Sequence, residues 1–329
     1  MSISAPIADA ASYDGEILDP LSRRLPWPGT FRTIVVRTDH GPHTVRLNFR
    51  ETPGPDGAER AFFVHGLGGS STNFTEVATA MSGHLRGTAI DLPGYGVSDP
   101  APRGDYSIET QAACVIASIE ATGDVPVHLV GNSMGGLISV YVAARRPDLV
   151  RTLTLVSPAM PTYRYESGAD PRMLLLALPG LGSILQRKLA LGDPYDRAWL
   201  STQLCFADPD RAPRFRVDQV ASEVAVRQHY PWSMHAFTES LRAIGATVVA
   251  RGRRAPWRLA AQIAVPTLVV WGDRDQLVPA RLARRLASTV RDGRLLMLSG
   301  VGHTAQLEMP EETARAMLKM VLETEPPHP

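Results

Sequence analysis

At 329 residues, 44% of them hydrophobic and 20% charged, the chain is long enough for one large α/β domain with an insertion and too apolar for wholesale disorder. Thirty-four basic and 33 acidic side chains leave a formal charge of +1, without the basic excess of a nucleic-acid binder. Two cysteines, Cys114 and Cys205, exclude a disulfide scaffold and a four-cysteine zinc site.

Residues 1–30, rich in Ala, Ser, Pro and Asp, read as a loosely held arm anchored at Trp27. No basic patch followed by an apolar core opens the sequence, so no signal peptide is expected. Thr33–Thr38 and His43–Phe49 are β-forming runs joined by Asp39-His40-Gly41-Pro42, a hairpin signal, and Pro53–Gly57 is a turn. A regular rhythm follows. Short apolar runs at Ala61–Val64, Thr88–Ile90, Val127–Val130 and Leu149–Val156 predict strands. Between them, helical spacing runs through Phe74, Val77 and Met81, from Ser107 to Ala121 and from Met134 to Arg146. Cys114 lies in the second of these helices and reads as a small buried hydrophobe. Strands alternating with helices predict a mostly parallel sheet covered on both faces, an α/β fold.

The rhythm stops at Pro158 and resumes at the predicted strand Val265–Trp271. A helix from Pro279 to about Val290, a strand Arg294–Leu298 and a helix from Pro310 to about Leu322 complete it. The expected organisation is a core of residues 31–158 and 263–325 with a helical cap, 159–262, inserted between. Within the cap, Met173–Leu185 is very apolar but short for a bilayer, and Pro179 and two glycines break it. Lining of an acyl pocket and packing of cap against core are its two readings. A soluble, cytoplasmic protein is expected.

Chemistry is concentrated at the ends of the predicted strands. Gly131-Asn132-Ser133-Met134-Gly135-Gly136 follows a strand and opens a helix. That context turns a G-x-S-x-G pattern into a nucleophile on a tight turn, at a helix N-terminus that favours negative charge. A weak alcohol needs a base, and the base needs an orienting acid. Asp273 and Asp275 follow the Val265–Trp271 strand, and Asp275 is the favoured acid, with Asp273 read as a turn-former. His303, in the glycine loop Gly300-Val301-Gly302-His303 after the last strand, is the expected base. His65-Gly66-Leu67-Gly68-Gly69 follows the Ala61–Val64 strand. The N–H groups of Leu67 and Met134 are expected to form an oxyanion hole, with His65 bracing the loop.

These motifs resemble the α/β-hydrolase superfamily, and specifically a cap-bearing serine hydrolase. HGLGGSS at 65–71, DLPGYGVSDP at 91–100, GNSMGG at 131–136, WGDRDQLVP at 271–279 and GVGHTAQLEMPE at 300–311 stand in that family's order. The resemblance covers about residues 33 to 323, weakly in the cap. It implies Ser133 as nucleophile, Asp275 as acid, His303 as base, Leu67 and Met134 as oxyanion donors, and no metal or organic cofactor. The segment Asp91–Ser98 either shapes the floor of the site or is a plain turn. A serine rather than an aspartate at 133 argues against haloalkane dehalogenases and epoxide hydrolases. The short HGLGGSS loop and Thr304 after His303 argue against the carbon–carbon bond hydrolases of meta-cleavage type.

The expected function is hydrolysis of a small-molecule carboxylic ester with an apolar acyl group through an acyl-enzyme. Carbon–carbon bond hydrolysis, thioester hydrolysis or acyl transfer, and a non-catalytic ligand receptor on the same fold are the alternatives. Residues 160–262 carry fourteen basic against nine acidic side chains. A solvated face is one reading of that charge; steering of anions or weak contact with an anionic membrane surface is the other. Trp232, Met234 and Phe237 fall on a predicted helix and are candidates for substrate contact, with plain packing as the competing reading.

Overall fold

A computed structural model of the chain describes residues 8–38, 41–162 and 192–324. Nine strands among them form one sheet: β1 (Ala8–Asp9), β2 (Gly29–Thr38), β3 (Gly41–Thr52), β4 (Arg60–Val64), β5 (Arg86–Ile90), β6 (Val127–Asn132), β7 (Val150–Val156), β8 (Thr267–Gly272) and β9 (Gly293–Leu298). Their spatial order is β1-β9-β8-β7-β6-β4-β5-β3-β2. Pairing is parallel from β1 through β5, and antiparallel where β3 joins β5 and β2 joins β3. The expected α/β fold and hairpin are both present, and the hairpin supplies one edge of the sheet.

The central strands are buried along their whole length, so they carry apolar residues continuously rather than in alternation. Successive side chains still point to opposite faces. Phe62 and Leu129 enter one core layer with helices α2 (Ile108–Glu120) and α3 (Met134–Arg145), whereas Phe63 and Val130 enter the other. That second layer packs under α1 (Thr75–Met81) and the C-terminal helix Pro310–Glu323. Cys114 is fully buried in the first layer, and burial pushes its thiol up to about 12.

Between β7 and β8 the described residues carry helices and no strand: α4 (Pro194–Cys205), α5 (Arg214–Arg227), α6 (Ser233–Ala246) and the short α7 (Pro256–Ala260). Asp193 caps α4 by accepting the Tyr195 and Asp196 N–H groups, with Pro194 at the first position. The apolar run Met173–Leu185 lies outside the described residues. Three helices follow β8: α8 (Arg281–Thr289) between β8 and β9, and, after β9, a single turn α9 (Ala305–Glu308) leading into α10 (Pro310–Glu323).

The N-terminal arm is held more firmly than its composition predicts. Residues 8–9 add a ninth strand beside β9, and the Ala10 N–H continues the ladder to the Leu295 carbonyl. Arg315 of α10 donates to the Tyr13 and Gly15 carbonyls. Trp27 is anchored as expected: Arg50 donates to its carbonyl, and the Arg23 guanidinium lies 3.6 Å above its ring. Backbone and arginine hydrogen bonds do this work together with Ala10, Tyr13 and Ile17, which pack partly buried against the second core layer; these contacts are too scattered to form a periodic pattern in the sequence.

Candidate active site

Ser133 stands between β6 and α3 with φ 54° and ψ −117°, a conformation that costs a non-glycine residue about 1–3 kcal/mol. Its neighbours over-determine it. The Ser133 N–H bonds to the Val156 carbonyl at 3.0 Å, and the Ser133 carbonyl accepts the Leu137 and Ala159 N–H groups. The flanking glycines are obligatory for close packing. A Cβ on Gly131 would lie 2.4 Å from the Gly135 carbonyl oxygen, and one on Gly135 would lie 2.1 Å from that of Val64. The first-turn N–H groups of α3, beginning with Met134, have no acceptor one turn earlier in the helix and are free for another partner.

The loop after β4 lies directly against this elbow. A Cβ on Gly66 would come within 3.0 Å of the Ser133 Cβ. The Gly69 N–H closes a turn onto the Gly66 carbonyl at 3.1 Å, with Leu67 and Gly68 at its corner and Gly68 at φ +76°. His65 is wholly buried beneath. Its Nε2 accepts the Leu92 N–H at 2.9 Å, so Nδ1 carries the hydrogen and donates to the Gly66 carbonyl at 2.8 Å. Burial lowers its pKa to about 4, against the opposing pull of the Gly66 carbonyl and Asp91. The segment Asp91–Ser98 is a hydrogen-bonded turn. The Asp91 carboxylate accepts from the Ser71 and Val97 backbones and from the Asn48 amide, tying three segments together beside the loop.

Asp273 and Asp275 have different partners. Asp273 accepts from the Ser299 hydroxyl at 3.0 Å and the Gly300 N–H at 2.7 Å, so it ties the loops after β8 and β9 together rather than forming the local turn expected; the bond to the backbone two residues on is made by Asp275. Asp275 lies 2.9 Å from His303 Nδ1 through Oδ2, and its Oδ1 accepts the Leu277 and Val278 N–H groups. Both side chains of this pair are buried, Asp275 completely. The carboxylate offers acceptors, so His303 Nδ1 is the donor and Nε2 is left as the acceptor. Asn132, one residue before Ser133, donates to the His303 carbonyl at 3.3 Å and so joins the elbow to the histidine loop.

Three contributors had no clear signal in the sequence. Glu308, buried on α9, accepts from the N–H groups of Gly302 (2.7 Å), Ala207 (3.1 Å) and Asp208 (3.1 Å) and from Arg211. The Cys205 carbonyl accepts the N–H groups of His303 and Thr304. A Cβ on Gly302 would strike that carbonyl at 2.5 Å, so the glycine is what lets the insertion reach the histidine loop. Glu308 sits in a motif singled out for His303, and its bond to Gly302 is local, but its donors Ala207 and Asp208 lie 101 and 100 positions away. The third is Arg227 of α5, which donates to the Gly68 carbonyl.

Of the candidate substrate contacts, Phe237 is placed at the site: its ring edge lies 3.4 Å from where a Cβ on Gly68 would stand. Trp232 stacks on Tyr230 with ring centroids 5.1 Å apart, and Met234 takes the Thr238 hydroxyl on its carbonyl. Neither of these two shows a described contact with the elbow or its loops. Among the described residues no three His, Cys, Asp or Glu side chains gather as a metal site requires. Among them, too, no helix is long and apolar enough to cross a membrane.

The family model described as "alpha/beta hydrolase fold" matches residues 62–310, from β4 to the start of α10. The chain belongs to the α/β-hydrolase fold family. Lipase 1 of Psychrobacter immobilis is 29% identical over 258 residues, 78% of this chain and 74% of the relative. A pimeloyl-[acyl-carrier protein] methyl ester esterase of Neisseria meningitidis is 28% identical over 261 residues, 79% of this chain and 92% of the relative. Among solved structures, an esterase of Exiguobacterium antarcticum superposes with a TM-score of 0.69 at 20% identity, over 90% of this chain and all of that one. The α/β-hydrolase fold thus extends over nearly the whole chain, and the relatives support an ester-hydrolysing member of it.

Proposed function

We propose that this α/β hydrolase is a serine carboxylester hydrolase that works through an acyl-enzyme on Ser133, with Asp275 and His303 completing the triad. The observation that carries the reading is the buried Asp275–His303 hydrogen bond of 2.9 Å, on a loop tied by Asn132 to the strained Ser133 elbow. In this reading His303 Nε2 takes the proton as Ser133 Oγ attacks the ester carbonyl. Leu67 and Met134 N–H groups hold the oxyanion. The imidazolium, stabilised by Asp275, returns the proton to the leaving alcohol, and water repeats the cycle to release the acid. The helices between β7 and β8 are read as a cap over this site, and an apolar acyl group fits Phe237 against the oxyanion loop.

The relatives named as a lipase and a methyl ester esterase favour an oxygen ester over the other substrates this triad can serve. The test is turnover of p-nitrophenyl esters from short to long acyl chains, with Ser133→Ala as control. Activity that depends on Ser133 and rises with chain length is expected. No turnover at any length, with Ser133 still labelled by a fluorophosphonate, would overturn the ester reading and leave a specialised substrate for the same nucleophile.

A further inference from the structure

Helix α5 presents a polar stripe to the loop that follows β4. Arg216, Gln219, Glu223 and Arg227 are spaced 3, 4 and 4 residues apart, which places them on one face. They are linked in sequence: Arg216 donates to Gln219 at 2.6 Å, and Gln219 donates to Glu223 at 3.0 Å. Members of the stripe also reach into the core at separate points. Arg216 pairs with the buried Glu76 of α1, Glu223 takes the Ser70 hydroxyl at 2.8 Å, and Arg227 donates to the Gly68 carbonyl at 2.5 Å. Polar side chains on the buried face of a helix are costly unless each finds a partner. Here three of the four side chains find a partner between residues 68 and 76, immediately beyond Leu67.

The Gly66–Gly69 turn is therefore gripped on both sides of Leu67. His65 Nδ1 holds the Gly66 carbonyl from within the core, and Arg227 holds the Gly68 carbonyl from the inserted helix. The direction of the Leu67 N–H depends on how the Gly66–Leu67 peptide is rotated. Gly68, lacking a Cβ and held at φ +76°, imposes little stiffness of its own. A hydrogen-bond donor aimed at an oxyanion acts through its preset direction, and a small misalignment costs rate rather than binding.

We propose that Arg227 is a positioning residue for oxyanion stabilisation: its guanidinium fixes the Gly66–Gly69 turn so that the Leu67 N–H points at the developing oxyanion. Hydrolysis then requires α5 to be docked on the turn. The proposal rests on the reading of Ser133 as nucleophile and Leu67 as oxyanion donor. It is an indirect role, because Arg227 touches the turn and not the substrate.

The experiment compares wild type with Arg227→Gln and Arg227→Met on a p-nitrophenyl ester, and measures the affinity of an alkyl boronic acid. The boronate places a tetrahedral oxygen where the oxyanion forms. The expected result is a fall in kcat of about 10–100-fold with KM changed less than about threefold, and a parallel fall in boronate affinity. The thermal transition should remain cooperative in at least one variant. A kcat within twofold of wild type overturns the proposal. So does a change confined to KM with boronate affinity intact, or loss of the cooperative transition in both variants, since Arg227 would then hold the fold rather than the turn. The underlying reading fails separately: wild type would show neither ester turnover nor fluorophosphonate labelling of Ser133. If wild type labels but does not turn over esters, the labelling rate serves as the same comparison.

Discussion

Asp273 and Asp275 stand two residues apart on the turn after β8, and their partners separate them. Asp275 spends one oxygen on two backbone N–H groups and the other on His303, so it is held with its acceptor aimed at Nδ1. Asp275→Asn offers an amide in place of that acceptor and favours the wrong imidazole tautomer. We expect kcat to fall by about 10⁴, as such a change does in a comparable triad. Asp273→Asn keeps an acceptor for Gly300 and should stay within about tenfold of wild type. Steady-state kinetics on the two variants checks both, and the reverse pattern would remove Asp275 from the triad.

His65 provides a second test at this scale. Burial lowers its pKa from 6.5 to about 4, so the unfolded chain binds a proton that the fold excludes. A group depressed in this way stabilises the fold fully above about pH 6.5 and progressively less as pH falls toward 4. The size is on the order of 3 kcal/mol. Urea unfolding between pH 7 and pH 4.5 should show a steeper loss for wild type than for His65→Asn, which has no such titration. Equal slopes would mean that His65 is not buried neutral.

At the scale of elements, the site depends on loops brought closer than side chains permit. Gly135→Ala would place a Cβ 2.1 Å from the Val64 carbonyl, forcing α3 away from β4. We expect a loss of stability of about 1–3 kcal/mol, read from the denaturation midpoint, with a larger proportional loss of activity. Glu308 works the other way, by filling a need. Glu308→Ala leaves the N–H groups of Gly302, Ala207 and Asp208 without their carboxylate, at roughly 1–3 kcal/mol for each that stays dry. Because Gly302 precedes His303, kcat should fall along with the melting temperature. Glu308→Gln, which retains one acceptor, should lie between.

At the scale of the molecule, the question is what joins the insertion to the core. Several basic residues of the 160–262 segment answer it: Arg211 reaches Glu308, Arg216 reaches Glu76, and Arg227 reaches Gly68. Part of that segment's positive charge is thus spent on the core rather than displayed to solvent or a membrane. The Arg216–Glu76 pair is buried, and desolvation raises the Glu76 carboxyl against the pull of Arg216. Removing one partner should therefore be severe, about 3–5 kcal/mol for Glu76→Leu alone, because it strands a buried cation. The double change Glu76→Leu with Arg216→Met should recover most of that loss. A double-mutant cycle by chemical denaturation measures the difference, and simple additivity would show that the pair is not coupled.

The sheet and its order of elements were legible in the sequence because burial on both faces imposes continuous apolar runs, and helices between them keep their own period. Gly131–Gly136, Asp275 and His303 were legible for a related reason: each sits where a strand ends, and strand ends of a parallel sheet meet at one edge. Nothing local distinguishes the arm at 8–16, which is held by backbone bonds to β9 and by Arg315. Nor does anything local mark Arg227, whose partner lies 159 residues away, or the bonds of Glu308 to Ala207 and Asp208, which lie 101 and 100 residues away. The sequence by itself determined the fold, the order of the motifs and the chemistry they offer, since these follow from patterning and from residue type at fixed spacing. Only the tertiary structure decided how Asp273 and Asp275 divide their partners and which residues of the insertion hold the loops after β4 and β9. Those choices depend on distances across the fold, and local spacing carries no record of them.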